Sequence, residues 1–294
     1  MSKAELDAVV QQLRENPMGG SLSEMRAQFD QGGGEVAGDI DVKALVANGV
    51  DCELHTPPGA DTSRVIMYVH GGGYVIGSLA SHRATVGELA RAAGCQALAV
   101  DYRLAPEHVY PAAVEDSVSA YNWLCENGYE PGKIAIAGDS AGGGLTAATL
   151  VALREAGLPM AGAGVCLSPW ADLEATGESY ESRKDIDPLV TRELLAPMGQ
   201  TYVGKGGDLR APTASPVYAD LTGLPPLLIQ VGQAEVLFSD AETLANNAKA
   251  AGVETILEEW PDMVHVWHLF HQQLEDGRKA IARIGEFVKE KTAA

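Results

Sequence analysis

Between residues 65 and 257, short unbroken apolar runs alternate with longer stretches whose apolar positions recur at helical spacing, and this alternation restricts the chain to few architectures. The runs are Val65–Val69, Ala97–Val100, Ile134–Ala137, Val165–Leu167, Leu227–Val231 and Thr255–Leu257. Each is too short for a helix and apolar on both sides, as a strand covered on both faces must be. Helical patterns lie near Ala84–Ala93, Val109–Asn127, Gly142–Ala156 and Ala241–Ala251, and one more follows from Trp267 onward. Strand and helix in alternation predict an α/β fold: a mostly parallel central sheet with helices on both faces. Upstream, Val42–Val46 and Val50–His55 are joined through Asn48-Gly49, a hairpin signal. With 294 residues, 46% hydrophobic and 21% charged, the chain can bury a large core and is neither collagen-like, coiled-coil nor disordered.

Two segments break the rhythm. Residues 171–215 hold no long apolar run, are rich in charged and turn residues such as Arg183 to Pro188, and contain a helical stretch near Thr191–Tyr202. An insertion of that length is too long for a simple connection. At the N-terminus, Ala4, Leu6, Val9, Val10 and Leu13 recur at roughly helical spacing and predict one amphipathic helix. The expected organisation is a core of residues 41–170 and 216–294, with residues 1–40 and 171–215 forming the two parts of a cap over the strand ends.

The net charge is −19, from 21 basic and 40 acidic residues, which opposes binding to nucleic acid or to an anionic membrane. Residues 64–170 carry only −3 of it, so the acid reads as a solvated coat and suggests tolerance of high salt. Cys52, Cys95, Cys125 and Cys166 show no paired spacing, and buried free thiols are expected. The N-terminus has no apolar core of signal type and no apolar stretch reaches the ~18 residues of a span, so a cytoplasmic address is expected.

Two glycine-rich segments carry the chemistry. Gly138-Asp139-Ser140-Ala141-Gly142 stands between a strand run and a Gly/Ala-rich helical pattern. That context marks Ser140 as a nucleophile on a tight strand-to-helix turn. A phosphate loop is the competing reading, and it lacks the lysine such a loop requires. His70-Gly71-Gly72-Gly73-Tyr74 follows the run Val65–Val69. Glycine lets backbone N–H groups approach a developing oxyanion, so the N–H groups of Gly71, Gly72 and Ala141 are the expected donors, with His70 shaping the loop.

Together with Tyr102-Arg103-Leu104-Ala105-Pro106-Glu107, these segments resemble the hormone-sensitive-lipase-like (family IV) bacterial carboxylesterases of the α/β-hydrolase fold, in the same order along the chain. Arg103 and Glu107 are then expected to tie loops together. A nucleophile, acid, histidine order is the rule in that fold. His265, His268 and His271 follow the last strand run, and Asp262-Met263-Val264-His265 resembles the histidine loop of the family. His265 is the expected base, with His268 and His271 at the beginning of the final helix. A metal reading of the three fails, because positions 0, 3 and 6 turn through about 600° on a helix and do not share a face. Ungapped matching from Pro225-Pro226 through Ala241–Ala251 puts Glu235 on the aspartate position of the family, with Asp240 as the alternative acid or else a helix N-cap. The resemblance implies a serine carboxylesterase acting on a small-molecule ester with a short acyl group, acetyl to hexanoyl, needing no metal or organic cofactor. It also implies a possible homodimer through Thr255–Leu257. An amidase or peptidase with the same triad, or a non-catalytic receptor of the same fold, are the rival readings.

Overall fold

The structure, a computed structural model, describes residues 3–293. Eight strands make one sheet: β1 (Asp41–Ala47), β2 (Val50–Thr56), β3 (Asp61–Val69), β4 (Cys95–Val100), β5 (Ile134–Asp139), β6 (Ala163–Leu167), β7 (Leu227–Gly232) and β8 (Thr255–Trp260). Their spatial order is β1-β2-β4-β3-β5-β6-β7-β8. The β1–β2 and β2–β4 pairs are antiparallel, and the six strands from β3 to β8 run parallel. The hairpin turn is as expected: Asn48 and Gly49 have φ of 48° and 93°, and two positive values are what a two-residue type I′ turn demands.

Side chains alternate across each parallel strand and so feed two cores. Val65, Met67 and Val69 of β3 and Ile134 and Ile136 of β5 face α4 (Ala112–Glu126), α5 (Ala141–Glu155) and α8 (Phe238–Ala250). Ile66, Tyr68, Ala135 and Ala137 face α3 (Leu79–Ala93) and α9 (Glu275–Thr292). The sheet is thus covered on both faces by helices, as the continuous apolar runs require. β8 lies at its edge.

The chain passes from β3 outward to β4 and returns to the far side of β3 for β5. At such a reversal the crevice beyond the carboxyl ends of the two flanking strands is left open. Val69 pairs with Gly138, so the loops that follow β3 and β5 leave the sheet level with each other.

Over these strand ends lie four further helices, α1 (Lys3–Glu15), α2 (Leu22–Gln31), α6 (Ser179–Ser182) and α7 (Arg192–Val203). The N-terminal segment is therefore two helices where one was expected. Ser21 accepts from the Glu24 N–H while the Glu24 carboxylate accepts from the Ser21 N–H at 2.7 Å, and this capping box restarts the helix. Leu6, Val10 and Leu13 of α1 pack on Met263, Val264 and Trp267. Met25 and Phe29 of α2, with Met198 of α7, pack on Val75, Ile76 and Ala105.

A second correction concerns the C-terminal helix. Trp267–Phe270 is a single 3₁₀ turn, and α9 begins only at Glu275, so His268 and His271 precede the final helix instead of starting it. Val266 is in the left-handed region with φ of 49°, which interrupts any regular helix there. No helix among the described residues is long and apolar enough to cross a membrane.

Candidate active site

Ser140 sits on the one-residue junction between β5 and α5 with φ of 53° and ψ of −120°, an uncommon conformation for a residue with a side chain. Its neighbours explain how the turn is tolerated. A Cβ on Gly138 would overlap the Val69 and Gly142 carbonyl oxygens, and one on Gly142 would overlap Val69 O and lie 2.6 Å from His70 O. The turn is locked by Ser140 N–H donating to Leu167 O at 2.8 Å and by Ser140 O accepting from Trp170 N–H at 2.8 Å.

His265 reaches this serine from the loop after β8. The Ser140 hydroxyl donates to His265 Nε2 at 2.9 Å, and His265 Nδ1–H donates to Glu235 Oε2 at 2.9 Å. Glu235 is fully buried on the loop after β7. Its Oε1 accepts from Gly232 N–H at 2.6 Å and from the Ser168 hydroxyl at 2.8 Å, and Ser168 Oγ accepts from Val266 N–H at 3.2 Å. Every oxygen of the carboxylate is therefore engaged, and the Ser168 hydroxyl joins the acid to the residue that follows the histidine. Burial alone would push the imidazole down, but the bond to Glu235 and the charges of Glu235, Asp187 and Asp139 hold its pKa above the ordinary value.

Asp240, the alternative acid, does not meet His265. Its Oδ2 accepts from the N–H groups of Ala171 and Asp172 at 3.0 and 2.9 Å, so it anchors the start of the inserted segment. It is not an N-cap either, because α8 begins at Phe238 and Asp240 lies inside its first turn.

The oxyanion expectation needs one change. Gly71 N–H already donates to Asp139 Oδ1 at 3.0 Å and is not available to a substrate. No acceptor among the described residues takes the N–H of Gly72, of Gly73 or of Ala141. His70 behaves as a loop-shaping residue: its Nδ1–H donates to Gly71 O at 2.7 Å, its ring stacks on Tyr102, and burial pushes its pKa down to about 3. His268 donates from Nε2 to Gln230 Oε1 and His271 from Nδ1 to His268 O, so neither ring is hydrogen-bonded to the serine.

Arg103 binds Asp116 and Glu115 of α4, whereas Glu107 is held by Arg26 of α2. Ser168 and Asp187 gave no sequence signal as site residues. Asp187 Oδ2 accepts from Val236 N–H at 2.9 Å, beside the acid, and its Oδ1 accepts from Leu189 and Val190 N–H. The Asp-Pro-Leu pattern at 187–189 is the turn signature that carries this arrangement.

A cavity of about 690 Å³ adjoins the histidine loop, between α1, α2 and residues 188–194, with Leu13, Phe29, Leu189, Leu194 and Val266 in its wall. Among the described residues, Glu15 is the one charged residue that lines it. No cluster of three or more His, Cys, Asp or Glu among the described residues is arranged to hold a metal.

A family profile described as alpha/beta hydrolase fold matches residues 66–269. An acetyl-hydrolase of Streptomyces hygroscopicus is 49% identical over 235 residues, 80% of this chain and 78% of that one. A putative acetyl-hydrolase of Mycobacterium tuberculosis is 38% identical over 237 residues, covering 81% and 76% of the two chains. Among solved structures, an esterase of the bacterial hormone-sensitive lipase family superposes with a TM-score of 0.96 at 49% identity, with 99% of each chain covered.

Proposed function

Because the chain belongs to the alpha/beta hydrolase fold family, in its hormone-sensitive-lipase-like branch, and is a carboxylic ester hydrolase, we propose that it cleaves short-chain acyl esters through an acyl-enzyme on Ser140. The observation that carries this reading is the hydrogen-bonded chain from Ser140 Oγ through His265 to Glu235. In the first half-reaction His265 Nε2 takes the Ser140 proton as Oγ attacks the ester carbonyl. The developing oxyanion is received by the free N–H groups of Gly72, Gly73 and Ala141, and His265 then protonates the leaving alcohol. Water repeats the sequence on the acyl-enzyme and returns the serine. Glu235 holds the imidazole with its proton on Nδ1 throughout, because Nδ1 faces a carboxylate.

The α1–α2 segment and the Ala171–Ser215 insertion act as one cap over this centre. The cavity beside Val266 lies on the His265 side, where the protonated alcohol departs, and therefore takes the alcohol moiety. A short acyl group is supported by the acetyl-hydrolase names of two relatives. Initial rates on nitrophenyl acetate, butyrate, octanoate and dodecanoate test the reading, with a pre-steady-state burst of nitrophenol on the acetate. The expected result is a preference for acetate or butyrate and a burst that Ser140→Ala abolishes. A Ser140→Ala chain that keeps its burst, or a maximum at dodecanoate, refutes it.

A further inference from the structure

Asp139, the residue before the nucleophile, takes no part in the steps above, yet its carboxylate is buried to within 1% among polar partners from three elements. Strand parity explains the meeting. Odd positions of β5 face the α3 side, as even positions of β3 do, so Asp139 points toward Tyr68 of β3 and His82 of α3. The Tyr68 hydroxyl donates to Asp139 Oδ1 at 2.7 Å, and His82 Nε2 lies 3.2 Å from Oδ1 and 3.3 Å from Oδ2. Burial opposes a charge at this depth, but His82 and the Tyr68 hydroxyl hold the carboxyl well below the usual carboxylate range.

The remaining partner is the Gly71 N–H, which donates to Oδ1 at 3.0 Å. Gly71 opens the glycine run that carries the free N–H groups of Gly72 and Gly73. It comes so close that a Cβ on it would overlap Asp139 Oδ2 and lie 2.9 Å from Asp139 O. One side chain therefore joins the turn that carries the attacking oxygen to the loop that carries the oxyanion donors. The two segments come from different strands, and a shift of ~1 Å between reacting groups costs roughly 10²-fold in rate.

We propose that Asp139 is a positioning residue, which sets the separation between Ser140 Oγ and the N–H groups of Gly72 and Gly73 through its bond to Gly71 N–H. This rests on the serine mechanism proposed above. The substitution series separates geometry from charge. Asp139→Asn keeps an oxygen where Gly71 N–H points and removes the charge, whereas Asp139→Glu keeps the charge and displaces it by one methylene.

The experiment measures kcat and KM on nitrophenyl acetate together with the affinity for a trifluoromethyl ketone, which forms a tetrahedral adduct on the serine and needs the oxyanion donors. The expected result is that Asp139→Asn stays within about threefold of the parent in kcat, while Asp139→Glu and Asp139→Ala fall by roughly 10- to 10²-fold at near-constant KM, with a matching loss of ketone affinity. Melting temperatures show that each variant is folded. If Glu or Ala proves unfolded, Tyr68→Phe, which keeps the Gly71 bond, is expected to stay within about threefold in kcat, and a tenfold fall at constant KM overturns the proposal. Asn falling as far as Glu, Glu and Ala both keeping full kcat, or ketone affinity unchanged while kcat falls also overturns it. Ser140→Ala measured alongside tells the two readings apart: residual turnover there refutes the nucleophile, whatever the Asp139 series shows.

Discussion

Replacing Glu235 by Gln isolates what the buried acid does. The substitution is nearly isosteric, so the fold is preserved and the effect must come from hydrogen-bond polarity. Gly232 N–H and the Ser168 hydroxyl both donate to Oε1, so the amide oxygen of Gln takes that place and its NH₂ group is turned toward His265. An NH₂ group facing Nδ1 requires Nδ1 to accept, which moves the imidazole proton to Nε2. That nitrogen then cannot take the proton of Ser140, which it contacts at 2.9 Å. An imidazole held in the wrong tautomer costs on the order of 10⁴ in kcat in a serine triad, about 5.5 kcal/mol at ~1.36 kcal/mol per tenfold. The assay is kcat on nitrophenyl acetate, normalised to active sites by titration, with the melting temperature as a control for folding. A folded Glu235→Gln chain within tenfold of the parent would refute both the tautomer argument and Glu235 as the acid.

Four further outcomes are expected. In the proposed mechanism neutral His265 is the active form, so its raised pKa places the acidic limb of the kcat/KM profile above the ordinary histidine value of 6.5, with activity lost as pH falls through that limb. A limb below that value, measured on an uncharged ester, contradicts the electrostatics of the site. Gly142→Ala drives a Cβ into the carbonyls of Val69 and His70 and is expected to cost about 3 kcal/mol, lowering Tm by roughly 5 °C; an unchanged calorimetric Tm speaks against that contact. Arg26→Ala removes donors to Val75 O, Ala105 O and Glu107, a half-buried tie of about 1 kcal/mol, and is expected to speed limited proteolysis of the α1–α2 segment. With a net charge of −19, Tm is expected to hold or rise between low and molar salt, and a fall would count against the acidic coat as a salt-adapted surface.

The parts of the site that were legible in the sequence are those dictated by covalent neighbours. Ser140 must stand on a strained turn because a strand ends at its N-terminal side, a helix begins at its C-terminal side, and only Gly138 and Gly142 leave room for the crossing chain. The periodicity of residues 4–13 predicts α1 alone, and the second N-terminal helix rests on a different local signal, the capping box from Ser21 to Glu24. The Gly71 assignment failed for a different reason. Three consecutive glycines are equivalent along the chain, and which N–H groups remain free depends on where a side chain from another strand points.

The same division runs through the whole protein. The amino-acid sequence by itself determined the layered α/β architecture, the hairpin at Asn48-Gly49, the turn that carries Ser140 and the loop that carries His265, because periodicity and turn chemistry act between residues close in the chain. Tertiary structure alone decided that Asp240 holds the segment that starts at Ala171, that Ser168 bonds Glu235 while Asp187 takes the N–H of Val236 beside it, and that Asp139 captures Gly71. These are contacts between residues tens of positions apart. The order of strands across the sheet brings them together, and burial then makes each polar group find whichever partner lies within reach.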